Sequence, residues 1–245
     1  MDNINGIFAY IPNWTTTLEE WAIRAIDIAI ASLGLILSLP IIALVTLIIK
    51  IDSPGPAIFK QTRIGKNRRN NVLSLSRNGV IPRINRRNED LGGKPFTFYK
   101  FRTMHVDAKE RYPELYRYQY SPEEINTLHF KIPDDPRLTR FGRHLRRTTV
   151  DELPNLINVI NGDMSLIGPR PDIPEMIKYY QPWQRKKFQV KPGVTGLAQI
   201  NGRGLLRFQE TLKLDVEYVE KKGLWTEFKI ILKTLWVTLL RIGAF

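Results

Sequence analysis

The sequence has no cysteine and only three histidines. The first absence excludes disulfide frameworks, thiolate metal sites and cysteine nucleophiles. His105, His129 and His144 are scattered without metal-ligand spacing, so none is assigned a ligand role. Acidic side chains are scarce as well: 24 Asp and Glu stand against 37 Lys and Arg, a formal charge of +13. A balance of that sign calls for an anionic partner, whether nucleic acid, a phosphorylated substrate or a membrane surface. Charge is missing altogether from residues 28 to 49.

Those 22 residues are long enough to cross a bilayer, which takes about 20 apolar residues. A cleaved signal peptide does not fit, because no basic region precedes the run and no small-residue cleavage site follows it. Ser38-Leu39-Pro40 lies near its middle, where proline removes a helical hydrogen bond at a cost of about 3 kcal/mol, and the Ser38 hydroxyl is placed to satisfy a freed carbonyl. The residues leave two topologies open, a plain span and a re-entrant helix that turns back toward the face it entered. Arg24 and Asp27 fall at headgroup level at one end, Lys50 and Asp52 at the other. The charge bias puts everything after Lys50 in the cytoplasm under either topology. From Lys60 to Arg102 there are twelve Lys or Arg against Glu89 and Asp90, a local charge of +10.

The chain divides into a lead-in (1–20), the apolar element (21–51), a main domain (52–223) with a basic excursion (67–94), and a final segment (224–245). Asp52-Ser53-Pro54-Gly55-Pro56 is turn chemistry. Ala57-Ile58-Phe59 and Val72-Leu73-Ser74-Leu75 read as short strands. Residues 96–104 alternate as a strand, with Thr97, Tyr99 and Phe101 on one face and Phe98, Lys100 and Arg102 on the other. Helical patterning follows from Val106 to Leu128, interrupted at Pro113 and Pro122, and again before Asp151 and after Glu152 as far as Asn161-Gly162. Leu197-Ala198-Gln199-Ile200 reads as a short strand between glycine turns, and Phe208 to Glu220 as a helix carrying Asp215. The last segment sets Trp225, Phe228, Leu232, Leu235, Trp236 and Leu239 on one face, which fits an interfacial helix or one packed on the core.

Thr148-Thr149-Val150-Asp151-Glu152-Leu153-Pro154 places two carboxylates directly after Arg143, Arg146 and Arg147. Ionised carboxylates beside cations can hold a divalent metal or attack phosphorus. Thr149 to Glu152 also satisfies the capping-box pattern, so a plain helix cap is the competing reading. Arg170, held between Pro169 and Pro171, suits bidentate phosphate binding.

The ordered set of Ser38-Leu39-Pro40, Asp52 to Pro56, Gln61, Arg63, Gly65, Tyr99 to Met104, Asp151 to Pro154, Gly162 to Pro171, Lys191 to Gly196, Asn201-Gly202-Arg203 and Leu214-Asp215-Val216 resembles the bacterial sugar transferases of the monotopic phosphoglycosyl transferase class. The resemblance implies an α+β, mainly helical protein, with a re-entrant helix-break-helix at residues 21–51, a small cytosolic catalytic domain and an amphipathic helix at residues 224–245. It implies transfer of a sugar 1-phosphate from a UDP-sugar to undecaprenyl phosphate, releasing UMP, at the cytoplasmic face of the bacterial inner membrane. By the same resemblance Asp151 is the nucleophile that carries the phosphosugar, and Glu152 is a metal ligand or proton acceptor. Asp151, Glu152 and Asp215 are implied ligands of Mg²⁺, and Lys100, Arg146, Arg170 and Arg203 phosphate-binding groups; the place of Arg24 at the end of the apolar run makes it the expected lipid headgroup contact. Membrane lipids are expected partners, nucleic acid is not, and a homodimer is left open. The rival reading is a non-catalytic basic protein bound to membrane or nucleic acid.

Overall fold

The computed structural model describes residues 13–67, 75–76, 79–80, 91–129, 132–202 and 205–239. Its apolar segment is one 40-residue helix, α1 (Asn13–Asp52), about 60 Å long at roughly 1.5 Å per residue. The helix begins inside the stretch read as a lead-in. It also runs through the triplet expected to break it, since Pro40 lies within continuous helical backbone. Ser38 is buried, and its hydroxyl donates to the Leu35 carbonyl at 3.0 Å, one residue short of the Ile36 carbonyl that Pro40 leaves without its helical donor. The proline is thus absorbed as a defect within a helix, a common cause of bending.

One stripe of α1, running through Ile23, Asp27, Ala31, Ser38, Val45 and Ile49, is buried against the rest of the chain, while Leu33, Leu37, Leu39, Leu44, Leu47 and Ile51 are exposed. A contiguous apolar face of that length is not left in water by soluble domains. Polar contacts fasten the buried stripe near both ends. Arg24 donates to the Val159 and Ile160 carbonyls at 2.6 and 2.8 Å, and Asp27 accepts from Ser165 Oγ at 3.0 Å and the Leu166 N–H at 2.9 Å. At the other end Arg102 donates to the carbonyls of Ile49 (3.3 Å), Ser53 (2.6 Å) and Pro54, and Asp52 accepts from the Phe141 N–H at 3.3 Å. Arg24, expected to contact a lipid headgroup, is engaged here by the domain. Its guanidinium satisfies the carbonyls that end a domain helix, where the helix dipole favours a cation.

β1 (Ile58–Ile64) pairs antiparallel with β4 (Pro95–Phe101), setting Phe59 opposite Lys100. Two short strands between them, β2 (Leu75–Ser76) and β3 (Gly79–Val80), pair with each other; Val72 to Ser74 and most of the basic excursion lie outside the described residues. Phe96 and Phe98 face Ala31, Val159 and Met164, and Phe101 faces Val45, Ile49 and Leu145. Short helical pieces follow: α2 (Ala108–Arg111), a 3₁₀ turn at Pro113–Tyr116 and α3 (Pro122–Thr127), divided at the two prolines as expected. Next come α4 (Arg140–Thr148), α5 (Asn155–Asn161) and β5 (Ser165–Ile167). The Asn158 side chain docks α5 on β4, donating to the Thr97 carbonyl at 2.7 Å and accepting from the Tyr99 N–H at 3.1 Å.

β5 pairs in parallel with β6 (Gly193–Thr195). A Cβ on Gly193 would lie 2.0 Å from the Gly168 nitrogen, so glycine sets how closely the two strands approach. Leu197-Ala198-Gln199-Ile200, expected as a strand, instead opens the helix α6 (Leu197–Gly202), because the strand position is already filled by Gly193–Thr195. α7 (Phe208–Lys221) buries Phe208, Leu212, Asp215, Val216 and Tyr218. α8 (Leu224–Leu239) packs through Ile230 and Val237 and leaves Trp225, Phe228, Leu232, Leu235 and Trp236 exposed, Trp225 by 66% and Trp236 by 62%. That exposure removes the core-packed alternative for the stripe.

Replacing Arg24 with Met removes two charged hydrogen bonds to helix-terminal carbonyls. We expect a loss of about 2–3 kcal/mol, read as a Tm lower by several degrees in detergent micelles. An unchanged Tm would show that the clasp contributes nothing to the fold.

Candidate active site

The site is assembled where α4, β4 and α5 meet. Thr139 caps α4 by accepting from the Gly142 N–H at 2.9 Å, and a Cβ on Gly142 would stand 2.0 Å from the Thr103 carbonyl oxygen. Only glycine lets the helix lie this close to the strand end, and the approach brings Arg146 Nε to 3.3 Å from Thr103 Oγ1. α4 ends at Thr149, whose φ of 63° is left-handed. For a β-branched residue that conformation is an outlier costing on the order of 1–3 kcal/mol. A single 3₁₀ turn, Val150–Glu152, then carries the two carboxylates before α5 begins. No side-chain cap forms at Thr149, because an N-cap needs extended backbone rather than the left-handed one found here. The capping-box reading is corrected accordingly.

Val150 and Leu153, on either side of the acidic pair, pack with Ile42, Val45 and Ile49 of the apolar helix. Asp151 is only 6% exposed. Burial, followed by repulsion from Glu152, pushes its carboxyl up to about 6, while Lys100, Arg170 and Arg146 pull the other way. Burial in turn presses the Lys100 ammonium down to about 8, with Arg146 adding to the effect and Asp151 opposing it. Glu152 takes Arg170 Nη1 at 2.8 Å. Arg146 is steadied from behind by Asp135 at 3.6 Å, and Asp135 is itself gripped twice by Arg137 at 2.8 Å. Four of the predicted residues, Lys100, Arg146, Asp151 and Glu152, thus come together with a fifth, Arg170.

The loop that presents Arg170 is held through its backbone. The Pro169 carbonyl accepts from the Gly193 N–H at 2.9 Å, Arg170 from Lys187 Nζ at 3.2 Å, Pro171 from Arg63 Nη1 at 3.0 Å, and Asp172 from the Ile64 N–H at 2.9 Å. Sequence reasoning gives Lys187 and Arg63 no role of their own. Arg63 is one cation among twelve in its run, and Lys187 lies in a polar stretch without periodicity. Arg203 lies outside the described residues.

Asp215 does not join the acidic pair. It is 1% exposed, and its Oδ2 lies 2.8 Å from Lys187 Nζ, behind the loop. Among the described residues no three His, Cys, Asp or Glu side chains gather as a cation site. Asp215 is thus not gathered with Asp151 and Glu152, as the three-carboxylate expectation required. Two adjacent carboxylates still suit Mg²⁺, which is commonly held by one or two carboxylates, substrate phosphates and water.

A family model described as bacterial sugar transferase matches residues 18–77 and 72–241. The chain is 38% identical over 222 residues to the galactosyl transferase CpsE of Streptococcus agalactiae, a match covering 90% of this chain and 43% of that protein. It is 37% identical to the UDP-glucose:undecaprenyl-phosphate glucose-1-phosphate transferase of Caulobacter vibrioides, covering 86% of this chain and 67% of that one. The uncharacterized sugar transferase EpsL of Bacillus subtilis is 34% identical, over 86% of this chain and 84% of its own length. The chain thus spans less than half of CpsE, and the family match takes in the apolar helix, the acidic turn and the Arg170 loop together. This chain belongs to the bacterial sugar transferase family.

Proposed function

We propose that this chain transfers a sugar 1-phosphate from a UDP-sugar to undecaprenyl phosphate at the cytoplasmic face of the bacterial inner membrane. The observation that carries the reading is the placement of Asp151, a buried carboxylate among Lys100, Arg146 and Arg170 on a turn packed against an apolar helix. The Caulobacter vibrioides relative, named for undecaprenyl-phosphate glucose-1-phosphate transfer, supports the donor and acceptor classes.

In the first step an Asp151 Oδ attacks the β-phosphorus of the donor. The bond from that phosphorus to the bridging oxygen breaks, and UMP leaves with the oxygen. In the second step a phosphate oxygen of undecaprenyl phosphate attacks the same phosphorus, the aspartyl–phosphorus bond breaks, and the Asp151 carboxylate returns with undecaprenyl-diphospho-sugar as product. Dividing the transfer in this way replaces one encounter of two polyanions with two simpler ones. Arg146 and Arg170 oppose charge on the diphosphate, and Lys100 keeps Asp151 ionised and guides phosphate toward it. Asp151 and Glu152 are the groups that would hold Mg²⁺, which supplies neutralisation of non-bridging phosphate oxygens.

The clasps on α1 support a re-entrant membrane arrangement. The Arg24 and Asp27 end and the Asp52 end are tied to one and the same folded domain. A helix crossing the bilayer would part those ends, whereas a shallow, re-entrant helix bent at Ser38-Leu39-Pro40 keeps both on the cytoplasmic side. The exposed Trp225 and Trp236 of α8 suit the headgroup zone. A soluble donor and a lipid acceptor then meet at one interface.

UMP release should require both a UDP-sugar and undecaprenyl phosphate. Asp151→Asn should lower it by at least about 10³-fold, in the range of lost nucleophiles. The same variant should be more stable than wild type at pH 7. The native carboxyl titrates above its unfolded value of 3.8, so its stabilising contribution is complete below that value and lost as pH rises through about 6. Removing the charge should recover on the order of 2 kcal/mol, measured as a higher Tm. Full turnover by Asp151→Asn would end the reading.

The pH profile offers an independent check. kcat/KM should rise through about 6 as Asp151 ionises and fall through about 8 as Lys100 loses its proton. Lys100→Gln should abolish the alkaline limb, and a variant retaining it would exclude Lys100 as its source.

A further inference from the structure

Arg170 stands on a loop, without a strand or helix to fix its peptide, yet Glu152 meets it at 2.8 Å. Behind that loop lies a buried charged cluster that the transfer chemistry does not use. Lys187 has a side chain only 3% exposed, and its Nζ lies 2.6 Å from Asp172 Oδ2, 2.8 Å from Asp215 Oδ2 and 3.2 Å from the Arg170 carbonyl oxygen. An ammonium carries three protons and accepts none, and here three oxygens surround it. Tyr180 donates its hydroxyl to Asp172, and the Tyr180 ring lies 5.7 Å from Lys187 Nζ. The cluster ties the 3₁₀ helix Pro182–Gln189, the loop and α7 to a single point.

We propose that Lys187, seated on Asp172 and Asp215, is a positioning residue that fixes the Arg170 peptide so that its guanidinium meets the donor diphosphate; this rests on the transfer reading above. Lys187 Nζ is taken up by Asp172, Asp215 and the backbone carbonyl of Arg170, so it acts through Arg170 and not on substrate. Proline on both sides limits the loop to few conformations, so anchoring one carbonyl fixes where the side chain starts, and Glu152 holds its far end. The ion pair with Lys187 accounts for the place of Asp215 without a metal. The carboxylate is engaged by Lys187 while Asp151 and Glu152 face the cations of the site.

Deleting Lys187 alone would strand two buried carboxylates and threaten the fold. The test therefore uses Lys187→Met combined with Asp215→Asn, beside Lys187→Arg and Tyr180→Phe. Each full-length variant is assayed for UMP release with undecaprenyl phosphate, Mg²⁺ and whichever of UDP-glucose or UDP-galactose the wild type turns over. The double variant should lose about tenfold in kcat while keeping its Tm within a few degrees and its Mg²⁺ half-saturation unchanged. Lys187→Arg, which keeps charge and reach, should stay within about threefold of wild type. A folded double variant within threefold of wild type in kcat overturns the proposal, as does a shifted Mg²⁺ half-saturation, which would return Asp215 to the cation. Should the double variant not fold, Tyr180→Phe decides: a loss of more than threefold in kcat at unchanged Tm is expected, and a smaller loss overturns it. Amide hydrogen exchange at residues 168–173 gives a readout without turnover. Faster exchange in the variants is expected, and equal exchange overturns the proposal even if wild type itself releases no UMP, the result that would instead sink the transfer reading.

Discussion

A carboxylate that must remain charged inside a protein needs positive charge close by from several directions, and the placement of Asp151 imposes that requirement on everything around it. Burial and the neighbouring Glu152 both favour the protonated acid; Lys100, Arg170 and Arg146 favour the anion. The three cations come from a strand, a loop and a helix. Each is placed by a different device: the β1–β4 register, the backbone contacts of the Arg170 loop, and the glycine that lets α4 rest on Thr103. The left-handed Thr149 belongs to the same set, since it lets two helices meet in one 3₁₀ turn and aims the acidic pair inward. Strain of this kind persists where surrounding structure enforces it, which is characteristic of working sites.

The second constraint is the apolar helix. Its exposed face demands lipid, yet the two ends of its buried stripe are bonded to one domain. Arg24, Asp27 and Arg102 are all charged groups used up on backbone carbonyls, a hydroxyl and a backbone N–H, so they hold the helix to the domain without presenting charge to the bilayer. The acidic turn gains from the same contact. Val150 and Leu153 rest on α1, so in the proposed reaction a lipid-borne phosphate lying along that helix would reach the carboxylates without leaving the membrane surface.

What the sequence revealed were features written in short, local patterns. The uncharged run announced a helix, the Asp-Glu pair after three arginines announced a charged site, and the tryptophan stripe of α8 announced an amphipathic helix. What stayed hidden depended on contacts between distant segments. The contact of Arg24 with the end of α5 stayed hidden because the two lie 135 residues apart. Asp215 looked like a third metal ligand because its partner Lys187 carries no periodic signal. Thr149 matched a capping box by residue type, and its backbone conformation, which decides the matter, leaves no trace in that pattern. Leu197 to Ile200 has the composition of a strand, but pairing with β5 is already taken by Gly193–Thr195.

The most direct test asks whether Asp151 itself becomes phosphorylated by the sugar donor. Full-length protein incubated with radiolabelled UDP-sugar and Mg²⁺, without undecaprenyl phosphate, should release one UMP per active site and retain label on the peptide that contains Asp151. Adding the lipid phosphate should then discharge that label into the organic phase. Label that never attaches to this peptide, with UMP appearing only when both substrates are present, would contradict the two-step account.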